Sequence, residues 1–275
     1  MQTIDKIASI LDVLSAEPEL NASEIAERIN LPVPTTHRIL TALVSKGILE
    51  KDIRTKHYSL GWALVRYAKN VRSAEDEKYN LKPINQIMQS LSATLGETIT
   101  LATCTGTRII LIKVIEGSNP LRHCSEEGKS MPLHASAPSK MFIAYMPDKL
   151  RARFLKSMTF EKYADNTITD MPSFLKELEQ VRATGLAFCK NELTPYCLAI
   201  SVPIFNKNGE ILFALTAVGY IERMNQVYDL VVEKLREAAA SIEAVLDTPS
   251  GVIMRIKDGN SFLFQAARLN RRDNP

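Results

Sequence analysis

Residues 31–49 read LPVPTTHRILTALVSKGIL, and the side chains there that could do chemistry are Pro34, Thr35, Thr36, His37, Arg38, Thr41 and Lys46. Hydroxyls, one imidazole and one guanidinium stand where a surface helix usually carries glutamate and lysine. Their chemistry is recognition by hydrogen bond. Threonine can bond phosphate oxygens or touch a thymine methyl, and arginine can fork onto guanine O6/N7 or onto a phosphate. Arg54, Lys56 and His57 add donors a few residues on.

The other chemically able groups are imidazoles and thiols. His123, Cys124 and His134 could suggest a metal, but their spacing is not a recognised ligand pattern and closure would need a fourth group. Cys189 or Cys197 beside a histidine could act as a nucleophile. No orienting acid or nucleophile-turn motif accompanies them, so both are read as small buried hydrophobes. His134 is expected to hold the loop before Ala135 by bonding backbone.

The first group needs a scaffold, and the flanking sequence supplies one. Ile4, Ile7, Ala8, Leu11 and Leu14 recur at helical spacing, which predicts an amphipathic helix over 3–16. Asn21 followed by Glu24 is a capping-box start for a short second helix with Ala22, Ile25, Ala26 and Ile29 inward. Pro34 fits the first turn of a third helix, where a missing N–H costs nothing. In that helix Ile39, Leu40, Leu43 and Val44 point inward, Thr35, Arg38 and Thr41 fall on the opposite side, and His37 lies at its edge. Gly47 suits a left-handed exit. Two segments, Ile48 to Lys51 and Lys56 to Leu60, around a polar turn read as a hairpin. Helix, short helix, turn, helix and hairpin within about 60 residues make a winged helix-turn-helix. Its third helix would enter the major groove, with a phosphate favoured at its N-terminus. Lys46, Arg54, Lys56 and His57 would face the sugar-phosphate backbone.

Charge follows the same division. The net charge of +3 says little, but residues 1–30 carry two basic and six acidic side chains, whereas 31–75 carry eight basic and three acidic. With 275 residues, 45% hydrophobic and 24% charged, the chain suits two globular domains and excludes wholesale disorder. The start, MQTIDKIASI, lacks a basic segment followed by an apolar one, and no run approaches the roughly 18 apolar residues of a membrane helix. A soluble, cytoplasmic protein is expected, with its four separated cysteines reduced.

Beyond a helical segment after Gly61 the texture changes. A helix in KYNLKPINQIMQSLSATLG leads to alternating strands ETITLATC and RIILIKVIEG. Helices are expected at Ser136 to Met146 and Pro172 to Thr184, strands at CLAISVPIF and ILFALTAVGY, and a long helix from about Met224 to Leu246. Antiparallel strands flanked by helices make an α+β sensor-like domain. Trp62, the only tryptophan, is expected either to anchor the wing or to pack between subunits, with the anchor preferred.

SEIAERINLPVPTTHRILTALVSKGILEKD followed by HYSLG resembles the N-terminal half of the IclR-type bacterial transcriptional regulators. MPLHASAPSKMFIAYMP is similar to that family's "lPlhatAlGKalLA", and CLAISVPIFNKNGEILFALTAVG to its "iAaPvfd..g.vvaalsvsg". The resemblance spans residues 3 to 247. It implies an α+β chain in four parts: a winged helix-turn-helix (1–61), a linker helix (62–77), a GAF-like α/β effector domain (78–247) and an extension (248–275). It further implies dimers or dimers of dimers bound to double-stranded operator DNA, more often as repressors, under control of a small organic metabolite and without a cofactor. Carried onto matching positions, the implied effector site is Ala135, Ser136, Ala137, Pro138, Cys189, Glu192, Cys197, Ala199, Thr216 and Val218. APSK replaces the family's glycine turn, and an alanine and a valine stand where relatives often have polar or thiol groups. Fewer donors point to a larger or partly apolar effector. Two alternatives stand beside this reading: a metabolic enzyme with an accessory helical domain, for which no convergent acid, base and nucleophile is found, and a winged helix that contacts protein.

Overall fold

The computed structural model describes residues 2–69 and 81–247. The chain divides into two compact units, Met1–Asp76 and Glu77–Pro275.

In the first unit, α1 (Thr3–Ala16), α2 (Ala22–Arg28) and α3 (Val33–Ser45) precede a hairpin of β1 (Leu49–Lys51) and β2 (Tyr58–Leu60). The Asn21 side chain accepts from the N–H groups of Ser23 and Glu24, and Glu24 accepts from the Asn21 N–H at 2.7 Å, which closes the cap of α2. Ile10, Leu14, Leu20, Ile25, Ile39, Leu40, Leu43, Leu49 and Tyr58 form one core. Full burial of each such aliphatic side chain is worth roughly 1.5–3 kcal/mol, which offsets the weak intrinsic stability of helices this short. Leu49 pairs with Leu60, and the Tyr58 N–H donates to the Leu20 carbonyl, which ties the wing to the start of α2. A Cβ on Gly61 would stand 2.3 Å from the Gly47 carbonyl oxygen, so the exit from the wing admits only glycine. Residues 63–69 are helical (α4); the rest of the expected linker helix lies outside the described residues, as does the 248–275 extension. Trp62 is 76% exposed and does not anchor the wing: backbone bonds from Gly61 to Ile48 and from Ala63 to Gly47 hold that corner instead.

The second unit contains α5 (Leu81–Leu95), β3 (Thr98–Thr105), β4 (Arg108–Ile115), β5 (Ser130–Met131), α6 (Ala137–Tyr145), α7 (Asp148–Lys156), α8 (Met171–Thr184), β6 (Ala187–Lys190), β7 (Cys197–Phe205), β8 (Ile211–Tyr220), α9 (Ile221–Gln226) and α10 (Tyr228–Asp247). The six strands form one sheet in the order β5-β4-β3-β8-β7-β6, with antiparallel neighbours throughout. Side chains of a strand alternate between faces. Phe213, Leu215 and Ala217 therefore meet α5 and α10 in one core, while Ala214 shares the other with α6, α7 and α8. Thr216 and Val218 follow Ala214 on this second face. Helix α6 is buried from Ala137 through Ala144, so it is a core element and not a surface one.

Two short elements carry no usable period in sequence, β5 and β6, and α7 shows only one inward turn at Leu150, Phe154 and Leu155. The expected single helix from Met224 is broken at Val227 (φ −117°, ψ 23°), and Tyr228, just after the break, stacks on Phe188 of β6.

Candidate nucleic-acid interface and ligand cleft

On α3 the burial of Ile39, Leu40 and Leu43 fixes which side faces outward. Pro34, His37, Arg38, Thr41 and Lys46 are exposed and Thr35 is half-buried. Thr36 departs from expectation. It is fully buried and its hydroxyl donates to the Pro32 carbonyl at 3.2 Å, because its positions i+3 and i+4 are the core residues Ile39 and Leu40. It therefore belongs to the inner face and is removed from the contact set. Thr41 donates to the His37 carbonyl at 2.9 Å, which leaves its methyl and lone pairs outward.

The wing turn is built on Asp52, whose carboxylate accepts from the N–H groups of Arg54 and Thr55 at 2.6 and 3.0 Å. Those bonds, the Thr55 one first, hold its carboxyl below the usual range. Lys56 takes a left-handed φ of 63°, and Arg54 and Lys56 project from the turn while His57 is half-buried. The unit thus presents an outward flank with one arginine, two threonines and a histidine, and cations on the wing beside it. Side chains of these types can bond phosphate oxygens and base edges.

In the second unit a cleft partly open to solvent lies on the sheet face beneath α6. Eight of the expected effector positions line it: Ser136, Ala137, Pro138, Cys189, Cys197, Ala199, Thr216 and Val218. Two do not. Ala135 is fully buried ahead of α6. Glu192 is turned beneath the helix, where both its oxygens accept from Lys140 Nζ at 2.7 Å. Burial pushes the Glu192 carboxyl up, and the neighbouring ammonium opposes that. A residue so engaged orders the wall and lies outside the lining of the cleft.

Thr100, Leu111, His123, Ser125, Met131, Leu193 and Thr194 complete the lining, and none of these was assigned from sequence. Alternation along β3 could have found Thr100, which sits opposite Thr216 in register. His123 and Ser125 come from the segment after β4, which long-range bonds hold in place. Thr98 Oγ1 donates to the His123 carbonyl at 2.7 Å and accepts from the Gly117 N–H. Arg223 donates to the buried Glu97 carboxylate and to the Leu121 carbonyl. No local pattern signals bonds across such separations.

His123 Nδ1 lies 3.9 Å from Cys197 Sγ. Burial, and then the charge of Lys129, lower the His123 pKa, while burial raises that of Cys197 and pushes Cys189 up to about 11. The pair is therefore imidazole against thiol and not imidazolium against thiolate, so it lacks an activated nucleophile. His134 Nε2 bonds the Glu161 carbonyl at 2.8 Å and its ring stacks on Tyr163, so it holds the loop before Ala135 as expected. Among the described residues no helix is long and apolar enough to cross a membrane.

Residues 3–52 match the family described as the IclR helix-turn-helix domain, and residues 80–244 that described as bacterial transcriptional regulator IclR C-terminal. The chain is 28% identical over 242 residues to the HTH-type transcriptional regulator BhcR of Paracoccus denitrificans, covering 86% of each. It is 25% identical over 250 residues to the HTH-type transcriptional repressor AllR of Escherichia coli, covering 89% of this chain and 90% of that one. Its fold is similar to a crystal structure of an IclR homolog from Microbacterium hydrocarbonoxydans complexed with 4-hydroxybenzoate: TM-score 0.70, 23% identity, 88% of this chain and 98% of that one.

Proposed function

Since the chain belongs to the IclR family of bacterial transcriptional regulators, we propose how its DNA-binding function is carried out and controlled. It is a regulator and not an enzyme, which sets the metabolic alternative aside. In our reading α3 lies in the major groove, with Pro34, Thr35, His37, Arg38 and Thr41 toward the bases and phosphates. Lys46, Arg54, Lys56 and His57 meet the backbone beside it. The observation that carries this is the outward flank of α3, fixed by the burial of Ile39, Leu40 and Leu43 on the other side.

The protein acts in the cytoplasm as a homodimer or dimer of dimers, so that two copies of α3 enter successive major grooves on a partly palindromic operator. A small organic molecule in the cleft beneath α6 controls that binding, and it does so by binding two arrangements of the protein with unequal affinity. Repression is the proposed outcome, in line with the description of AllR as a repressor. The test is a mobility-shift titration on the promoter region of the protein's own gene over a salt series. Submicromolar binding with a steep salt slope is expected, because phosphate contacts release counterions. Retention no better than on unrelated DNA at every salt would overturn the reading.

A further inference from the structure

We infer that Ile53, at the tip of the wing, enters the minor groove of the operator and packs on its sugar walls and base edges, favouring A·T pairs there. The inference rests on the reading of the first unit as the DNA-binding domain, and it adds a specificity-determining residue to that site.

The turn between β1 and β2 is otherwise polar, with Asp52, Arg54, Thr55 and Lys56 around Ile53. Ile53 is 82% exposed, more than any other large apolar side chain among the described residues. Isoleucine does nothing to form such a turn, since turn residues supply a positive φ or side-chain bonds to the backbone. Its neighbours perform those tasks. The Asp52 carboxylate accepts from the Arg54 and Thr55 N–H groups, and the His57 N–H donates to Thr55 Oγ1 at 3.3 Å. The Lys56 N–H donates to the Asp52 carbonyl and the Asp52 N–H to the His57 carbonyl, each at 2.9 Å. Nor does Ile53 complete the core of the unit, which ends at Leu49 and Tyr58 on this side.

The tip is therefore ordered before anything binds. Its backbone is closed by these bonds, and a β-branched side chain is stiff at χ1, so burial of Ile53 in a complex costs little further conformational freedom. Whatever buries it must also accept the exposed cations Arg54 and Lys56 beside it. The matching surface is anionic at its rims and apolar between them. The minor groove has that form: phosphates border a slot about 6 Å wide with sugar walls, and apolar wedges such as isoleucine are inserted there by other minor-groove proteins. Its floor sets the preference. A G·C pair adds the guanine N2 amino group, which fills the floor and would be left without an acceptor against an alkyl side chain.

The experiment uses the full-length protein and the promoter fragment of the mobility-shift titration. Hydroxyl-radical footprinting, which reads sugars from the minor groove, locates the pairs that the wing protects. Ile53→Ser should lose that protection and weaken binding about tenfold, as expected for an isoleucine buried only in the complex. Its salt slope should stay that of the native protein, because no phosphate contact is removed. Ile53→Leu should recover most of the affinity. Replacing a protected A·T pair by G·C should weaken the native protein, inosine·C should restore it, and Ile53→Ser should respond to neither change. Affinity of Ile53→Ser within twofold of native, or a native protein indifferent to G·C at those pairs, would overturn the inference while leaving the DNA-binding reading intact. A loss in Ile53→Ser accompanied by a shallower salt slope would show that the whole wing had moved, and would overturn it too. A native protein that binds the fragment no better than unrelated DNA would overturn both.

Discussion

Lys140 Nζ lies 2.7 Å from each carboxylate oxygen of Glu192, beneath α6 and out of the cleft, with the lysine side chain wholly buried. The pair fixes the helix whose N-terminus forms the cleft wall. Its net contribution to stability is modest, because desolvation opposes attraction, but breaking it strands a charge. Lys140→Met should lower the unfolding free energy by about 3–5 kcal/mol, and Lys140→Met with Glu192→Gln should recover a large part of that loss. Urea denaturation of the three proteins measures it. A double variant as unstable as the single one would show that packing of the lysine stem, and not the stranded carboxylate, dominates.

Arg38 and Thr36 are two positions apart on α3 but face opposite ways. Arg38→Ala should weaken operator binding by about 1–3 kcal/mol and relax sequence preference. Thr36→Val should leave operator affinity within twofold, since the hydroxyl it removes is bonded to Pro32 inside the domain. Two further N–H donors, those of Thr35 and Thr36, still satisfy the Pro32 carbonyl. Mobility-shift titrations of both variants on one fragment settle the contrast, and a large loss for Thr36→Val would put that side chain at the interface after all.

The first unit was legible because its signals are local. A cap at Asn21, a proline in the first turn of α3, a glycine at its exit and one apolar stripe per helix each act within a few residues. Thr36 shows the limit: composition placed it with its hydroxyl neighbours, while helical spacing from Ile39 and Leu40 turns it inward. In the second unit the strands and the main helices follow period two or 3.6, but α7 offers too few apolar positions and β5 and β6 are too short. The cleft was legible only as far as strand alternation and family resemblance reached. The segment bearing His123 is placed by Glu97 and Arg223, which are 126 positions apart. Glu192 matched a family position, yet in this chain its charge is engaged by Lys140.

His123 should give the cleft an acid limb. Burial lowers its pKa from the ordinary 6.5, with Lys129 adding to the effect. Between the two values the unfolded chain binds a proton that the folded protein does not, so folding is disfavoured as acid is added. The contribution is complete above about pH 6.5 and is lost as pH falls through the lower folded value. The melting temperature should therefore drop between pH 7.5 and 5.5 more in the native protein than in His123→Gln. An NMR titration of the His123 ring should show a midpoint below 6.5. Identical pH slopes in the two proteins would mean that the ring protonates as freely as in water.

Gly219 closes β8 against Glu97. A Cβ there would stand 2.2 Å from Oε2 and 2.6 Å from the carboxyl carbon. The glutamate cannot step aside cheaply: it is 1% exposed and held by Arg223, which also donates to the Leu121 carbonyl, and by Asn119. Gly219→Ala should therefore cost about 1–3 kcal/mol by overpacking. It should also loosen the segment carrying His123 and Ser125, so that ligand affinity falls more than stability alone explains. Gly209→Ala is the matched comparison, since its φ of 76° brings strain but its Cβ meets nothing within 4 Å. It should lower the melting temperature without altering ligand affinity relative to the native protein at a temperature where both are folded. Equal losses of affinity in the two variants would sever the link from Glu97 and Arg223 to the cleft.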